Sequence, residues 1–407
     1  MSSQGRPHIL VLTSTFPSRE NDSTPAFVLE LSRRLAKYFD ITVLTPRVPG
    51  VRDKETMARL RVVRYPYFFR SLENLTSRNG GILHQLKSNP LNYLLIPFFI
   101  TGQVLAILHL IRREKIDAIH AHWLIPQGLA AAISLMITGK SIPLVCTSHG
   151  GDLFALQGRL FYTIKRWIIK RSQTLTVVSN VMKKTVMDMN ISPDMVSVIS
   201  MGVDLTERFV PAPHKKRDPG KLIFVGRLVE KKGVNVLLDA MPRILAQVPD
   251  VELTVIGAGP LEADLRRQCR SLDISDKVVF LGSQTQSKLP EFYQQAALAV
   301  FPFVRAKDGD QEGFGLVVIE AMGCGCPVIA SDLPAVKDTI QHGKTGWTVT
   351  PGDSQALADR IITSLENSEE TKEMARHARR KVVELFDWQV ITDRYTHRIN
   401  SILEGGF

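Results

Sequence analysis

Cysteine is scarce in this chain: four in 407 residues, at Cys146, Cys269, Cys324 and Cys326. So few, so scattered, make no disulfide framework, which fits a reducing cytosol rather than a disulfide-stapled secreted domain. Cys324-Gly-Cys326 reads as small apolar packing ahead of Pro327. Metal-ligand clusters are also lacking. His120-Ala-His122 at a strand end would put two imidazoles on one face, but no third ligand is near in sequence, which argues against a metal. Val255-Ile-Gly257-Ala-Gly259-Pro260 lacks the third glycine of a dinucleotide fingerprint. No repeat, low-complexity block or nucleic-acid motif stands out. The first residues are polar and the apolar run from His8 reads as a strand, so no signal peptide is expected.

What is present fits two α/β domains. Apolar residues make up 44% and charged residues 22%, as in a globular protein, and 407 residues exceed one ordinary core. Strand-like runs at 8–14, 40–45, 117–121, 143–148 and 174–178, then 221–225, 251–257, 277–281, 297–301 and 327–330, alternate with helix-like stretches. That alternation predicts two doubly wound parallel sheets. The Pro- and charge-rich run 211–220 reads as a linker. Near the end, Trp388, Val390, Ile391, Tyr395, Ile399 and Leu403 recur at helical spacing.

Charge divides unevenly. Residues 1–210 hold 26 Lys and Arg against 14 Asp and Glu, a balance of +12; the rest hold 25 against 26, and the two sum to the overall +11. Residues 91–111 are apolar and long enough to span a bilayer, but Asn92, Pro97, Gln103 and His109 count against a span. They read as a core helix, with contact of its basic end at a membrane interface as the alternative. Nucleic acid is disfavoured, because the basic residues are interspersed with Leu, Ile and Phe.

Three segments carry chemistry. In Glu312-Gly313-Phe314-Gly315-Leu316, two glycines flank an aromatic ahead of a helix-forming run that contains Glu320. The glycines let a ligand approach the main chain, and the first amides of a helix suit phosphate. If helix held across the eight-residue spacing, both carboxylates would lie near one face. Upstream, an apolar strand ends in Gly226, and Arg227 and Lys232 flank a turn before the next helix. Open α/β sheets present ligand sites at such strand ends. The third segment runs from Pro143 through a strand to His149-Gly150-Gly151-Asp152. Asp152 reads either as a helix N-cap or as a ligand contact.

The first segment resembles the E-x7-E motif of retaining glycosyltransferases of family 4, which have the GT-B fold, and the resemblance extends along essentially the whole chain. It implies two Rossmann-like domains facing each other across a cleft: 1–205 on the acceptor side, a linker at 206–220, a nucleotide-sugar-binding domain at 221–385, and a C-terminal helix at 386–407 crossing back to the first. Glu312 with the Gly313 and Phe314 amides would take the sugar hydroxyls. Arg227 and Lys232, beside Gly226 and with the Gly315-Leu316 helix end, would take the diphosphate, and Glu320 the ribose. His149 would lie beside the sugar ring and support its developing charge. Asp152, Pro17 and His122 are further candidates for donor or acceptor contact, Pro17 because the run from His8 looks like the family's first strand and donor-facing loop. The chain departs from the family's common Gly-Gly after that loop, having Thr24-Pro25-Ala26-Phe27; proline suits a first helical turn but removes an amide donor.

Asp308-Gly-Asp310 spells the D-x-D string with which the unrelated GT-A fold holds a metal, and is read here as a loop shaping the donor pocket. The expectation is therefore a retaining hexosyltransferase with no cofactor and no metal, using a nucleotide-diphosphate sugar. Its acceptor would be a lipid-linked or polysaccharide precursor of bacterial surface glycan. The expected location is the cytoplasm, with peripheral attachment at an anionic inner membrane face left open. A nucleotide-sugar epimerase of the same fold and a non-catalytic sugar-nucleotide-binding subunit are the alternatives.

Overall fold

The structure, a computed structural model, describes residues 5–18, 26–76 and 81–405; Thr24 and Pro25 lie outside them. It divides into two compact units. The first takes the chain up to Val178, then Met182–Ile199 and Thr392 onward; the second takes Ser179–Val181 and Ser200–Ile391.

The chain opens with β1 (His8–Leu12), α1 (Phe27–Leu35), β2 (Asp40–Pro46), β3 (Lys54–Met57), β4 (Leu60–Tyr65), α2 (Gly81–Ser88) and α3 (Ile96–Arg113). It continues through β5 (Ala118–His122), α4 (Leu129–Thr138), β6 (Leu144–Ser148), α5 (Gly151–Phe154), α6 (Arg159–Arg171), β7 (Thr174–Val177), α7 (Asn180–Met187) and β8 (Val196–Val198). The eight strands lie in the order β3-β4-β2-β1-β5-β6-β7-β8. Every pairing is parallel except β3 with β4. β1, β5 and β6 are near-continuous buried runs because helices cover both faces of a parallel sheet. The parallel reading of this sheet is corrected at its edge. β3 and β4 form an antiparallel hairpin turned by Ala58 and Arg59, both at positive φ without a glycine or asparagine to announce it.

α3 settles as a core helix along its inner face, where Phe99, Gln103, Val104, Ile107, Leu108, Leu110 and Ile111 are buried. With the turn before it, Pro90–Arg113 is long and apolar enough to cross a membrane, yet 44% of its most apolar window is buried in the protein. That face is committed to the core.

The second unit contains β9 (Asp218–Val225), α8 (Val234–Gln247), β10 (Glu252–Ile256), α9 (Glu262–Ser271), β11 (Val278–Gly282), α10 (Leu289–Gln295) and β12 (Ala296–Phe301). α11 (Leu316–Gly323), β13 (Val328–Ser331), β14 (Trp347–Val349), α12 (Ser354–Glu366), α13 (Ser368–Phe386) and α14 (Trp388–Leu403) follow. The strand order is β11-β10-β9-β12-β13-β14, all parallel. α8 buries Val234, Leu237, Leu238, Met241 and Ile244 at helical spacing onto Leu222, Phe224, Leu253 and Val255 of the sheet. The run 211–220 clusters with this unit: Arg217 donates to the Tyr293, Ala296 and Cys324 carbonyls at 2.6, 2.8 and 2.8 Å, and β9 begins at Asp218.

α14 begins in the second unit and continues in the first. Its first residue, Trp388, packs where a Cβ on Gly202 would stand 2.3 Å from the indole. Further along, Tyr395 Oη lies 3.4 and 3.3 Å from the Thr147 and Thr176 hydroxyls, and Arg398 Nη2 donates to Thr174 Oγ1 at 2.7 Å.

Candidate active site

In a doubly wound sheet the chain leaves adjacent strands in opposite directions at one point, and the crevice there receives ligands. In the second unit that point lies between β9 and β12, and in the first between β1 and β5. The candidate residues of each unit emerge at or beside these points.

Gly226, Arg227 and Lys232 follow β9, in a turn held by backbone packing. Gly233 closes the turn at φ 65°, and a Cβ on it would stand 1.8 Å from the Pro302 carbonyl oxygen, so only glycine fits. The Gly257-Ala-Gly259 turn packs the same way. A Cβ at Gly257 would meet the Gly226 oxygen at 1.9 Å, and one at Gly259 the Leu228 oxygen at 2.3 Å. The partial dinucleotide fingerprint is thus a backbone seam between two loops.

Arg227 is exposed, and its guanidinium has no hydrogen-bond or ion-pair partner among the described residues. Lys232 is largely buried: its Nζ donates to Glu312 Oε2 at 2.7 Å and lies 4.7 Å from the Phe303 ring centroid. Glu312 Oε1 accepts from the Gly315 and Phe314 amides at 3.1 and 3.4 Å. Burial alone would push the Glu312 carboxyl up, but the Lys232 charge and hydrogen bond, then Lys231 and the Phe314 amide, bring it down to about 2.

The eight-residue spacing is not helical throughout. α11 starts only at Leu316, after Gly315 at φ 80°, so the shared-face expectation for Glu312 and Glu320 is corrected. Glu312 turns to Lys232, whereas Glu320, 5% exposed, faces other groups. Gln286 Nε2 donates weakly to its Oε1 at 3.4 Å, and the buried Tyr293 hydroxyl faces the carboxyl, leaving Oε2 without a hydrogen bond of good geometry. Burial, partly offset by Gln286, Arg208, Lys232 and Tyr293, raises this carboxyl to about 7. Phe314 buries its ring against Phe386, leaving its backbone beside Glu312, and Gly313 is half-buried. In the D-x-D string, Asp308 Oδ1 accepts from the Asp310 amide at 3.0 Å and Asp310 pairs with Lys231 at 3.1 Å. Among the described residues no three His, Cys, Asp or Glu cluster as metal ligands.

The first unit brings His122 and His149 together from the ends of β5 and β6. His122 Nδ1 and His149 Nε2 lie 3.0 Å apart and share one proton, with the rings stacked at 11°. The His120 ring lies 4.3 Å from that of His122, tilted by 36°, and its Nε2 lies 2.8 Å from Thr147 Oγ1, which in turn lies 2.5 Å from Thr176 Oγ1. Burial lowers His120 to about 4; burial, and then the neighbouring His120, lowers His149 to about 3. Burial also lowers His122, so all three rings are neutral near pH 7. Trp123, at a positive φ of 76°, and Phe27 pack on His149 at 5.0 and 4.7 Å.

Asp152 serves the scaffold here. Its Oδ2 accepts from the Leu124 amide at 2.6 Å and its Oδ1 from Ser148 Oγ at 2.7 Å, and α5 has no side-chain N-cap, which corrects the capping alternative. Burial raises its carboxyl despite these bonds. Pro17 is buried and its carbonyl accepts from Arg64 Nη2 at 3.1 Å. Sequence reasoning missed Phe27, Trp123, Gln286 and Arg208. Trp123 had a signal of sorts in its place directly after His-x-His, while Gln286 had none.

The family model described as Glycosyltransferase Family 4 matches residues 25–207, and Glycosyl transferases group 1 matches residues 206–381. The two run almost end to end, and the chain belongs to the group 1 glycosyltransferases of family 4. It is 28% identical over 299 residues to the N-acetyl-alpha-D-glucosaminyl L-malate synthase of Bacillus anthracis, covering 70% of this chain and 74% of that one. It is 24% identical over 397 residues to the GDP-mannose-dependent alpha-(1-6)-phosphatidylinositol monomannoside mannosyltransferase of Mycolicibacterium smegmatis, covering 94% and 95%. Sucrose-phosphate synthase from Thermosynechococcus elongatus superposes with a TM-score of 0.78 at 20% identity, over 98% of this chain and 100% of that one. The fold is GT-B, with two parallel-sheet Rossmann-like domains.

Proposed function

We propose that this glycosyltransferase is a retaining, metal-independent enzyme that moves a hexosyl group from a nucleoside-diphosphate sugar to a lipid-linked or polysaccharide acceptor. One observation carries the reading: the second unit's switch point combines an exposed Arg227 whose guanidinium has no partner among the described residues with a Lys232–Glu312 pair and a buried Glu320 whose Oε2 makes no hydrogen bond of good geometry. A buried acceptor so weakly satisfied has room for another donor, and ribose hydroxyls supply one.

In this reading Arg227, Lys232, Gly226 and the Gly315-Leu316 end of α11 take the diphosphate. Glu312 exchanges its contacts with Lys232 and the Phe314 amide for sugar hydroxyls, which leaves the Gly313 and Phe314 amides open to the sugar as well. The bond from the anomeric carbon to the diphosphate oxygen breaks, and a bond to the acceptor oxygen forms on the same face. The acceptor proton passes to the departing diphosphate. His149, neutral and steadied by His122, adds no positive charge to oppose the oxocarbenium ion. Fixed cations at the leaving group act most strongly where charge develops.

The relative from Mycolicibacterium smegmatis, named for GDP-mannose and a phosphatidylinositol acceptor, supports both a nucleotide-sugar donor and a lipid acceptor. The basic first half agrees with an enzyme of the cytoplasm working at an anionic membrane face. A thermal-shift screen against nucleotide sugars, followed by turnover with the best donor, tests the reading. An epimer formed from donor alone would make the protein an epimerase, and donor binding without transfer would make it a binding subunit. Chelator is expected to leave turnover unchanged; activity that vanishes with chelator and returns with manganese would require Asp308 and Asp310 to be ligands.

A further inference from the structure

Exposed large apolar side chains are confined almost wholly to one half of the chain. Among the described residues only Val279 and Leu281 stand exposed in the second unit; the others lie in the first. The densest group surrounds the start of α3, where Phe69, Leu91, Leu94 and Phe98 are 73%, 72%, 69% and 50% exposed. These rings are held in place from beneath. Buried Glu73 accepts from the Tyr67 and Phe68 amides at 2.7 and 3.2 Å, and the Phe68 ring lies 4.8 Å from Phe98 and 5.1 Å from Phe69. Gly102 lets α3 close on this loop, since a Cβ there would stand 2.6 Å from the Pro66 carbonyl oxygen.

Along α3, Phe98, Thr101, Leu105, His109 and Arg112 form one exposed stripe. α4 packs beside it and exposes Met136 and Ile137, and Lys140 Nζ donates to the Ile111 carbonyl at 2.9 Å. With its inner face in the core, α3 can lie on a bilayer but cannot cross one without leaving the fold.

Charge identifies the occupant. From Asn74 to Met187 the only carboxylates are those of Glu114, Asp117 and Asp152, against thirteen Lys and Arg. Glu114 is paired with Arg61, Asp117 with Lys115, and Asp152 is buried. Arg112 and Arg113, exposed, make no ion pair among the described residues. A second copy of this chain would set cation against cation. An anionic bilayer accepts both the cations and the rings.

We infer that the outer face of α3, with the 68–72 loop and the turn before the helix, docks in the plane of an anionic phospholipid bilayer. Phe69, Leu91, Leu94 and Phe98 enter the acyl boundary while Arg112 and Arg113 meet headgroups. The loop follows the C-terminal end of β4, so this surface opens at the same edge of the first sheet as Pro17 and His149. An acceptor anchored in that bilayer is thus presented at the edge where His149 stands, a step that rests on the transferase reading, whereas the docking itself does not.

The test is sedimentation of the full chain with vesicles of phosphatidylcholine alone, or with about a third phosphatidylglycerol, at low and raised salt. The protein is expected to pellet with the anionic vesicles and to come off as salt rises. Leu94→Ser with Phe98→Ser, and separately Arg112→Glu with Arg113→Glu, should each lower partitioning about tenfold or more. Both variants should keep the melting temperature and nucleotide binding of the wild type. No binding to anionic vesicles overturns the inference, as does binding that neither pair of substitutions weakens. So does a wild-type dimer that Leu94→Ser with Phe98→Ser makes monomeric while vesicle binding persists, since the patch is then a self-interface. Vesicle binding without transfer to any acceptor supports docking and counts against the transferase reading.

Discussion

At its switch point the first unit offers imidazoles, buried, closely packed and neutral, while the second offers cations and carboxylates, one pair of which neutralises itself. The surfaces diverge in the same way. The first unit is basic and shows apolar side chains to solvent; the second is nearly balanced in charge and shows almost none. Two sheets of one architecture have thus been equipped for different tasks. On the reading proposed above, the charged one takes a polyanionic nucleotide and the apolar, basic one a larger, lipid-borne partner. The comparison supports the old rule that function resides in the loops at strand ends and not in the fold.

The severest way to break this division is Lys232→Ala. It removes a cation from the leaving group and strands Glu312, so turnover should fall by about 10²–10³. Loss of one partner of a buried pair also costs about 3–5 kcal/mol. For this pair, at 13% and 14% exposure, the lower end is expected, and thermal melting measures it. If turnover survives, the second unit is not where the diphosphate is held.

Glu312→Gln and Glu320→Gln sharpen the assignment within the second unit. A contact that strengthens as the sugar flattens appears in kcat, and one present before and during reaction appears in KM. Glu312→Gln should therefore lower kcat and Glu320→Gln raise the donor KM, each about ten- to a hundredfold. The reverse pattern in folded variants would exchange the two roles.

In the first unit, His122→Asn removes the nitrogen that fixes the His149 proton. Turnover should drop about tenfold, nucleotide binding should hold, and the ring nitrogen shifts of His149 should change. An unaltered His149 spectrum would show that the pair does no positioning.

The smallest effects are those of pH, and they have opposite signs in the two units. His120 and His149 are depressed to about 4 and about 3, so their contribution to stability is full above the ordinary value of 6.5 and is lost as pH falls through the folded values. Glu320, raised to about 7 from 4.5, contributes fully below 4.5, and its contribution is lost as pH rises through 7. Because an ionised carboxylate is the better acceptor for ribose hydroxyls, nucleotide affinity should rise severalfold from about pH 6 to about pH 8. Isothermal titration reads this, and the slope should vanish in Glu320→Gln.

Most of the fold was legible because parallel strands buried on both faces write themselves as apolar runs, as in His8–Leu12 and Leu144–Ser148. β3 was not, since Lys54–Met57 has a single buried residue, and three-residue strands such as β8 and β14 are too short to show a period. The candidate residues were nameable from short strings, but their contacts within the fold were not. Lys232 and Glu312 stand eighty positions apart and His122 and His149 twenty-seven, separations at which no local pattern reports a contact. Nor does a string tell where a helix starts: Gly315, at positive φ, delays α11 and turns Glu312 away from Glu320. Arg217 likewise ties to the second unit a stretch whose composition reads as free linker.

The Lys232–Glu312 contact also bears on what the protein ignores. A cell is rich in small anions, and an open ammonium at a strand end would collect them. Here the ammonium is already covered by a neighbouring carboxylate, and an arriving anion must displace that cover. Inorganic phosphate offers nothing for the displaced carboxylate to hold. A diphosphate carrying a sugar brings hydroxyls with it, so that in the proposed reading Glu312 is compensated in the act of giving up Lys232. On the proposed reading, discrimination at this ammonium against the commonest competitor follows from the pair, as a lock that opens only to a ligand with both ends.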